Sequence, residues 1–180
     1  MDAAHHIHSD EEKERYLEHN NHIKDMAYRS FLGKLAIPLQ AKLSSGDTGL
    51  DFGCGHGPAL ADILEKDGFN VSLYDPFFFP DKEVLLHKYD FITCTETAEH
   101  FYNPLDEFKT IDRLLKPGGW LGIMTCFLTA DEAFENWYYR RDPTHVTFYC
   151  KKTFEVIASQ RNWQCEFPSK DIVLLQKPND

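Results

Sequence analysis

The chain has 180 residues, enough for one domain with a sizeable core and too few for two domains joined by a linker. Its 42% hydrophobic, 14% aromatic and 27% charged residues are the proportions of a globular chain and exclude a disordered one. A net charge of −10 opposes non-specific nucleic-acid binding, and no apolar run approaches the roughly 20 residues that cross a bilayer, so neither a nucleic acid nor a membrane is the expected partner.

From Ser9 to about Leu43 the pattern is helical, first charged and then amphipathic, with Pro38 bending or ending the second of two helices. A short buried strand, Thr48 to Phe52, runs into the glycines 53, 55 and 57 and a helix from about Pro58 to Lys66. Asn70 to Tyr74 reads as a second strand ending at Asp75, which completes a right-handed βαβ unit. A strand at Phe91 to Thr95, a helix at about Leu105 to Leu115, a Lys-Pro-Gly-Gly stop and a strand at Trp120 to Phe127 follow. The alternation predicts a mostly parallel sheet with helices on both faces. A helix from Lys152 to Arg161 then leads to an antiparallel hairpin at one sheet edge, Trp163 to Phe167 and Ile172 to Gln176, separated by a short turn around Pro168 to Asp171.

The N-terminus carries acids and histidines where a signal peptide has basic and then apolar residues, so a cytoplasmic location is expected. Cys54, Cys94, Cys126, Cys150 and Cys165 contain no C-x-x-C pair and read as reduced thiols.

Leu50-Asp51-Phe52-Gly53-Cys54-Gly55-His56-Gly57 stands where a strand hands over to a helix. Glycines there let the backbone approach a ligand whose negative groups meet the N–H groups of the helix start. Pro58 replaces the last glycine of a G-x-G-x-x-G fingerprint, which disfavours a nicotinamide cofactor. Asp75, about 20 residues on, is placed to accept hydrogen bonds from the ribose hydroxyls of a nucleoside.

With these residues the sequence resembles the small class I S-adenosylmethionine-dependent methyltransferases. LDFGCGHG is similar to their first motif, Asp75 in SLYDPF to their ribose-binding acid, YDFITCTETAEHF to their fourth-strand motif and LLKPGGWLGIMT to the turn into their fifth strand. The resemblance implies a Rossmann-like α/β three-layer sandwich, with a seven-stranded, mostly parallel sheet whose last strand is antiparallel. The third-strand region is abbreviated: only PFFFPDKEVLLHK separates Asp75 from Tyr89, leaving a short strand at Val84 to Leu86 or none. Phe77 and Phe78 either cover the adenine or simply pack. By the same resemblance residues 1–45 are N-terminal helices capping the cofactor pocket and residues 46–180 the methyltransferase domain, and Tyr16, His19 and Asn20 touch the methionine moiety. Asp51, Gly53, Gly55, Gly57, Asp75 and Glu96 are the expected cofactor-binding residues.

Methyl transfer from a sulfonium is an in-line displacement, so the protein must align the acceptor and, for a hydroxyl, take up or acidify its proton. Glu96, Glu99 and His100 form an E-x-x-E-H group after the fourth-strand motif, with the two glutamates one helical turn apart if that turn is helical. His145 follows in Tyr138-Tyr139-Arg140-Arg141-Asp142-Pro143-Thr144-His145. Two carboxylates and two imidazoles suit a divalent ion, magnesium, manganese or zinc. The pattern is similar to that of metal-dependent O-methyltransferases, the small-RNA 2′-O-methyltransferases and the ubiquinone-biosynthesis enzymes, which implies Glu96, Glu99, His100 and His145 as metal ligands. Without metal, His145 or His100 is the general base, and Glu99 completes the catalytic set.

Phe134, Trp137, Tyr138 and Tyr139 either line a slot for a planar acceptor or bury their segment against the sheet, while Arg140, Arg141, Lys151 and Lys152 make a local positive patch. His5, His6, His8, His19 and His22 read as a solvated tail and helix face. The expected activity is transfer of the methyl of S-adenosylmethionine to an oxygen of a small acceptor. RNA 2′-O-methylation and a non-catalytic cofactor-binding module are the alternatives.

Overall fold

The computed structural model describes residues 7–18, 22–129 and 131–179, with 131–133 described in backbone only. Its helices are α1 (Ser9–Glu18), α2 (Met26–Gln40), α3 (Ala59–Lys66), α4 (Pro104–Leu114) and α5 (Lys151–Arg161). Its strands are β1 (Thr48–Phe52), β2 (Asn70–Tyr74), β3 (Tyr89–Thr95), β4 (Leu115–Met124), β5 (Gln164–Ser169) and β6 (Ile172–Gln176), joined in the order β2-β1-β3-β4-β6-β5. β1 pairs in parallel with both β2 and β3, and β4 in parallel with β3, whereas β6 runs antiparallel to both of its neighbours. The expected hairpin is therefore present, with its second strand inserted next to β4.

Alternation along the strands gives the sheet two apolar faces. On one, Leu32, Leu35, Ala36 and Leu39 of α2 and Leu60 and Leu64 of α3 pack against Phe91, Trp120, Met124, Ile172 and Leu174. On the other, Phe108, Ile111 and Leu114 of α4 and Phe154 and Ala158 of α5 cover Leu50, Ile92, Leu121, Ile123, Val173 and Leu175. Each such Leu or Ile contributes roughly 1.5–3 kcal/mol by leaving water. α2 comes close because Gly122 has no side chain: a Cβ there would sit 3.0 Å from Leu35 Cδ1.

Local chemistry sets the ends of the helices. Asp25 caps α2, its carboxylate accepting from the N–H groups of Ala27 and Tyr28 at 2.8 and 3.2 Å. α2 runs past Pro38 to Gln40, because a proline this close to the end forfeits little of the helical bonding. Pro104 opens α4, and Asn162 closes α5 in the left-handed conformation at φ 57°.

Three expectations are corrected. Of the two alternatives for the third-strand region the strand is the absent one: Val84 to Leu86 lies in a 3₁₀ helix, Lys82–Leu86, so the described sheet has six strands rather than the seven the resemblance implies and ends at β2. Lys116 to Gly119 follow the end of α4 at Leu114, as a helix stop should, but lie inside the next strand and not before it. Tyr89 pairs with Leu115 and Phe91 with Trp120, so β4 begins at Leu115 and these four residues form a bulge within it. Pro168 stands within β5 rather than in the turn, which an edge strand tolerates, at a shift in the register with β6.

Candidate functional site

Sheet order reverses between β1 and β3, and the crevice beyond their carboxyl ends is where open α/β sheets receive ligands. The glycine loop begins there. Gly53 has φ 79°, and a Cβ on it would lie 2.1 Å from Thr97 Cγ2, so the loop can pass the β3 end only as glycine. Gly53 N–H and Cys54 N–H both donate to Tyr74 O, tying the loop to the end of β2. Gly55, at φ 62°, would put a Cβ where no atom lies within 4 Å, so this turn faces open space.

Asp75 closes the far side of the loop. Its Oδ2 accepts from Gly55 N–H at 3.0 Å and its Oδ1 from Phe77 and Phe78 N–H at 2.9 and 3.1 Å. A carboxylate offers about four lone-pair positions, so capacity for one further donor remains at Oδ2. Phe77 and Phe78 leave β2 beside the loop, and Phe78 meets the His56 ring edge-on at 5.6 Å. Asp51 lies near the end of β1, one residue before Phe52 closes the strand. It is buried and receives the Thr93 hydroxyl at 2.8 Å, and burial pushes its carboxyl up to about 6.

After β3 the chain makes a tight turn. Glu96 adopts φ 47° while its N–H donates to Met124 O, a left-handed conformation that costs a non-glycine residue about 1–3 kcal/mol. A 3₁₀ turn, Ala98–His100, then carries Glu99 inward. Glu99, His100 and His145 each offer a ligand atom within 4.8 Å of the other two. Glu96 stands outside this trio because the turn is not helical back to Glu96, and the single face expected for the two glutamates does not form. Its side chain reaches solvent, yet enough protein crowds the carboxylate that desolvation, and then the charge of Glu99, raise its pKa.

The trio is held by hydrogen bonds that fix its donor atoms. His100 Nδ1–H donates to Thr144 O at 3.0 Å and His145 Nδ1–H to Tyr139 O at 2.7 Å, which places the lone pair of each ring on Nε2. Tyr139 OH donates to Glu99 Oε1, while Glu99 Oε2 is buried with no hydrogen-bond partner among the described residues. Burial raises the pKa of Glu99 in spite of the Tyr139 hydroxyl. Burial and the neighbouring His100 lower that of His145, which favours the neutral imidazole that a metal or a proton acceptor requires.

α1 lies across this crevice. Tyr16 touches the Phe77 ring at 5.7 Å and the His100 ring at 5.1 Å, Lys13 stands over Phe78, and Arg15 Nε donates to Asp142 at 3.1 Å. Glu12, in a charged run that reads as solvated, is buried and accepts from the hydroxyls of Tyr16 at 2.6 Å and Tyr102 at 2.9 Å. Sequence reasoning missed Glu12, Tyr102, Arg15, Thr97 and Thr125, whose partners are distant in the chain. Tyr16 was marked by its place in the first helix. His5, His6, His19 and Asn20 lie outside the described residues.

The aromatic group after β4 packs on itself, with Phe134, Trp137 and Phe148 within 6.3 Å of one another and Trp137 against Tyr139 at 5.2 Å; Tyr138 is 69% exposed. The positive patch is largely spent within the chain: Arg140 donates to Glu135 O, Lys152 pairs with Glu155 and Lys151 covers Phe167. No described helix is long and apolar enough to cross a membrane.

Residues 21–166 match a family model described as a methyltransferase domain. Ubiquinone biosynthesis O-methyltransferases from Nitrosospira multiformis and Escherichia coli are each 30% identical. The first is matched over 49% of this chain and 46% of its own length, the second over 39% of each. The match thus spans less than half of these curated relatives. Among solved structures, an O-methyltransferase family protein from Burkholderia thailandensis is similar with a TM-score of 0.58 at 12% identity, over 93% of this chain and 63% of that one. CalO1, a methyltransferase of calicheamicin biosynthesis in its SAH-bound form, is similar with a TM-score of 0.56 at 13% identity, over 83% of this chain and 54% of that one. With its glycine turn at the switch point, its single antiparallel strand and the family match over most of its length, the chain belongs to the class I S-adenosylmethionine-dependent methyltransferases.

Proposed function

We propose that this chain methylates an oxygen of a small acceptor, with Glu99, His100 and His145 holding a divalent ion and Glu96 at its margin. The observation that carries the reading is the buried Glu99 Oε2, without a hydrogen-bond partner among the described residues, beside two imidazoles whose Nδ1–H groups are anchored on backbone carbonyls. The named activity of the two ubiquinone biosynthesis relatives points the same way. One carboxylate and two imidazoles suit zinc better than magnesium. Bound there, the ion would lower the pKa of an acceptor hydroxyl and orient it.

The remaining work falls to the chain itself. The opening at Gly55 and the spare acceptor position on Asp75 fit the nucleoside of S-adenosylmethionine, which supplies the methyl group. Tyr16 and the rest of α1 cover the crevice and exclude water from it. In the absence of the ion, His145, kept neutral by burial, is the residue best placed to receive a proton from the acceptor.

The test is methyl transfer to a panel of phenols and catechols, followed by mass spectrometry, with and without a chelator. Turnover lost on chelation and restored by zinc or manganese supports the reading. Turnover indifferent to chelation removes the ion and leaves a histidine base. A chain that binds S-adenosylhomocysteine yet methylates nothing is a binding module, and methylation confined to short RNA would replace the small acceptor.

A further inference from the structure

We propose that Tyr139 is a positioning residue that sets Glu99 and His145 for the ion. The inference rests on the reading of Glu99, His100 and His145 as a ligand set and adds a residue that the E-x-x-E-H pattern does not contain. Three separate parts of Tyr139 act on that set. Its hydroxyl donates to Glu99 Oε1, its carbonyl receives His145 Nδ1–H at 2.7 Å, and its ring lies against the His145 imidazole with centroids 4.1 Å apart.

The direction of the hydrogen bonds follows from chemistry. An ionised Glu99 only accepts, so the Tyr139 hydroxyl donates to it. That hydroxyl then accepts from Thr125 Oγ1, 3.2 Å away, and Thr125 is itself held by its own N–H on Asp171 O. The chain Thr125–Tyr139–Glu99 occupies Oε1 and leaves Oε2, the oxygen with no hydrogen-bond partner among the described residues, to face a cation. Trp137, with its ring 5.2 Å from that of Tyr139, keeps the phenol in place. A tyrosine retained only for its packing would have no reason to spend its hydroxyl on the buried acid of this cluster and its carbonyl on a histidine of the same cluster.

Tyr139→Phe removes the hydroxyl and keeps ring and carbonyl, and Thr125→Val removes the group that orients it. Cobalt(II) is titrated into the parent protein, both variants and Glu99→Gln, with its visible absorption as the readout. S-adenosylhomocysteine affinity and melting temperature in metal-free buffer are measured alongside. Tyr139→Phe is expected to weaken cobalt binding about 10–100-fold and to shift the absorption bands, with S-adenosylhomocysteine affinity retained, and Thr125→Val to act in the same direction less strongly. Parental cobalt affinity and spectrum in Tyr139→Phe overturn the proposal. So does a loss of cobalt binding that merely parallels a loss of S-adenosylhomocysteine binding and a collapse of the melting temperature. A parent that takes up no cobalt, or a Glu99→Gln variant that binds it like the parent, removes the metal centre and the role of Tyr139 with it. The first of these results leaves the metal reading standing, and the last does not.

Discussion

The rings of His100 and His145 meet edge to face, 4.9 Å between centroids, and both fix their Nδ1–H on carbonyls of the 139–144 segment. Two imidazoles this close cannot both become imidazolium cheaply, and burial already lowers the pKa of His145. His145→Ala is therefore expected to reduce methyl transfer by roughly 100-fold or more while S-adenosylhomocysteine still binds. Calorimetry with that ligand and a single-turnover assay check the two halves, and parental turnover would take His145 out of the chemistry.

Gly53 and Gly55 both have positive φ, yet the same substitution should act differently at each. Gly53→Ala drives a methyl into Thr97 and is expected to cost roughly 2–4 kcal/mol of stability. Gly55→Ala meets no protein atom within 4 Å and should cost only about 1–2 kcal/mol, but it places a methyl in the opening assigned to the cofactor. Urea unfolding separates the first effect, and S-adenosylhomocysteine titration the second. Equal stability losses in the two variants would refute the distinction.

Asp51 offers a pH test with a definite sign. Burial lifts its carboxyl from 3.8 to about 6 in the folded chain. Between those values the folded chain keeps a proton that the unfolded chain has released, so stability falls as pH rises through the window and stays reduced above it. The full difference is worth about 3 kcal/mol. Asp51→Asn keeps an oxygen for the Thr93 hydroxyl and cannot ionise, so it should stabilise the ligand-free protein by about 1–3 kcal/mol at pH 7.5 and far less at pH 4. Denaturant melts at the two pH values decide it; destabilisation at pH 7.5 would mean that the ionised form is the one the fold favours.

The clasp of α1 should be separable from the fold. Asp142 keeps its proton only below about 2. Its burial opposes this, but the bonds from Thr144 and from Arg15 outweigh it, so the Arg15 pair is intact at any working pH. Arg15→Ala combined with Tyr102→Phe removes the anchor to Asp142 and one of the two bonds to Glu12. Amide exchange over residues 9–18 is expected to quicken on the order of tenfold with little change in the melting temperature. Unchanged exchange would mean that the ring contacts of Tyr16 alone hold the helix down.

The parts of this protein legible in its sequence are those encoded by neighbours in the chain. Apolar alternation and turn residues marked β1, β2 and the β5–β6 hairpin, and the glycines with Asp75 marked the crevice. E-T-A-E-H suggested two glutamates on one helical face, but the left-handed turn at Glu96 is set by its N–H bond to Met124 on the adjacent strand, which no local pattern announces. The start of β4 at Leu115 likewise depends on Tyr89 across the sheet, and the burial of Glu12 on Tyr102, 90 positions away. Tyr139 read as one of four aromatics, because its hydroxyl and carbonyl find their partners only once the 138–145 segment has folded over Glu99.

β5 precedes β6 in the chain but reaches the sheet only through it. Until Ile172–Gln176 has zipped onto β4, β5 and β6 can pair only with each other, as an isolated hairpin that is marginal in water, and α5 has an incomplete surface to cover. The stability of β5 and α5 thus depends on the β4–β6 ladder. A variant weakened at Val173 or Leu175 should release α5, β5 and β6 together as one cooperative unit, while the glycine-loop half of the sheet persists.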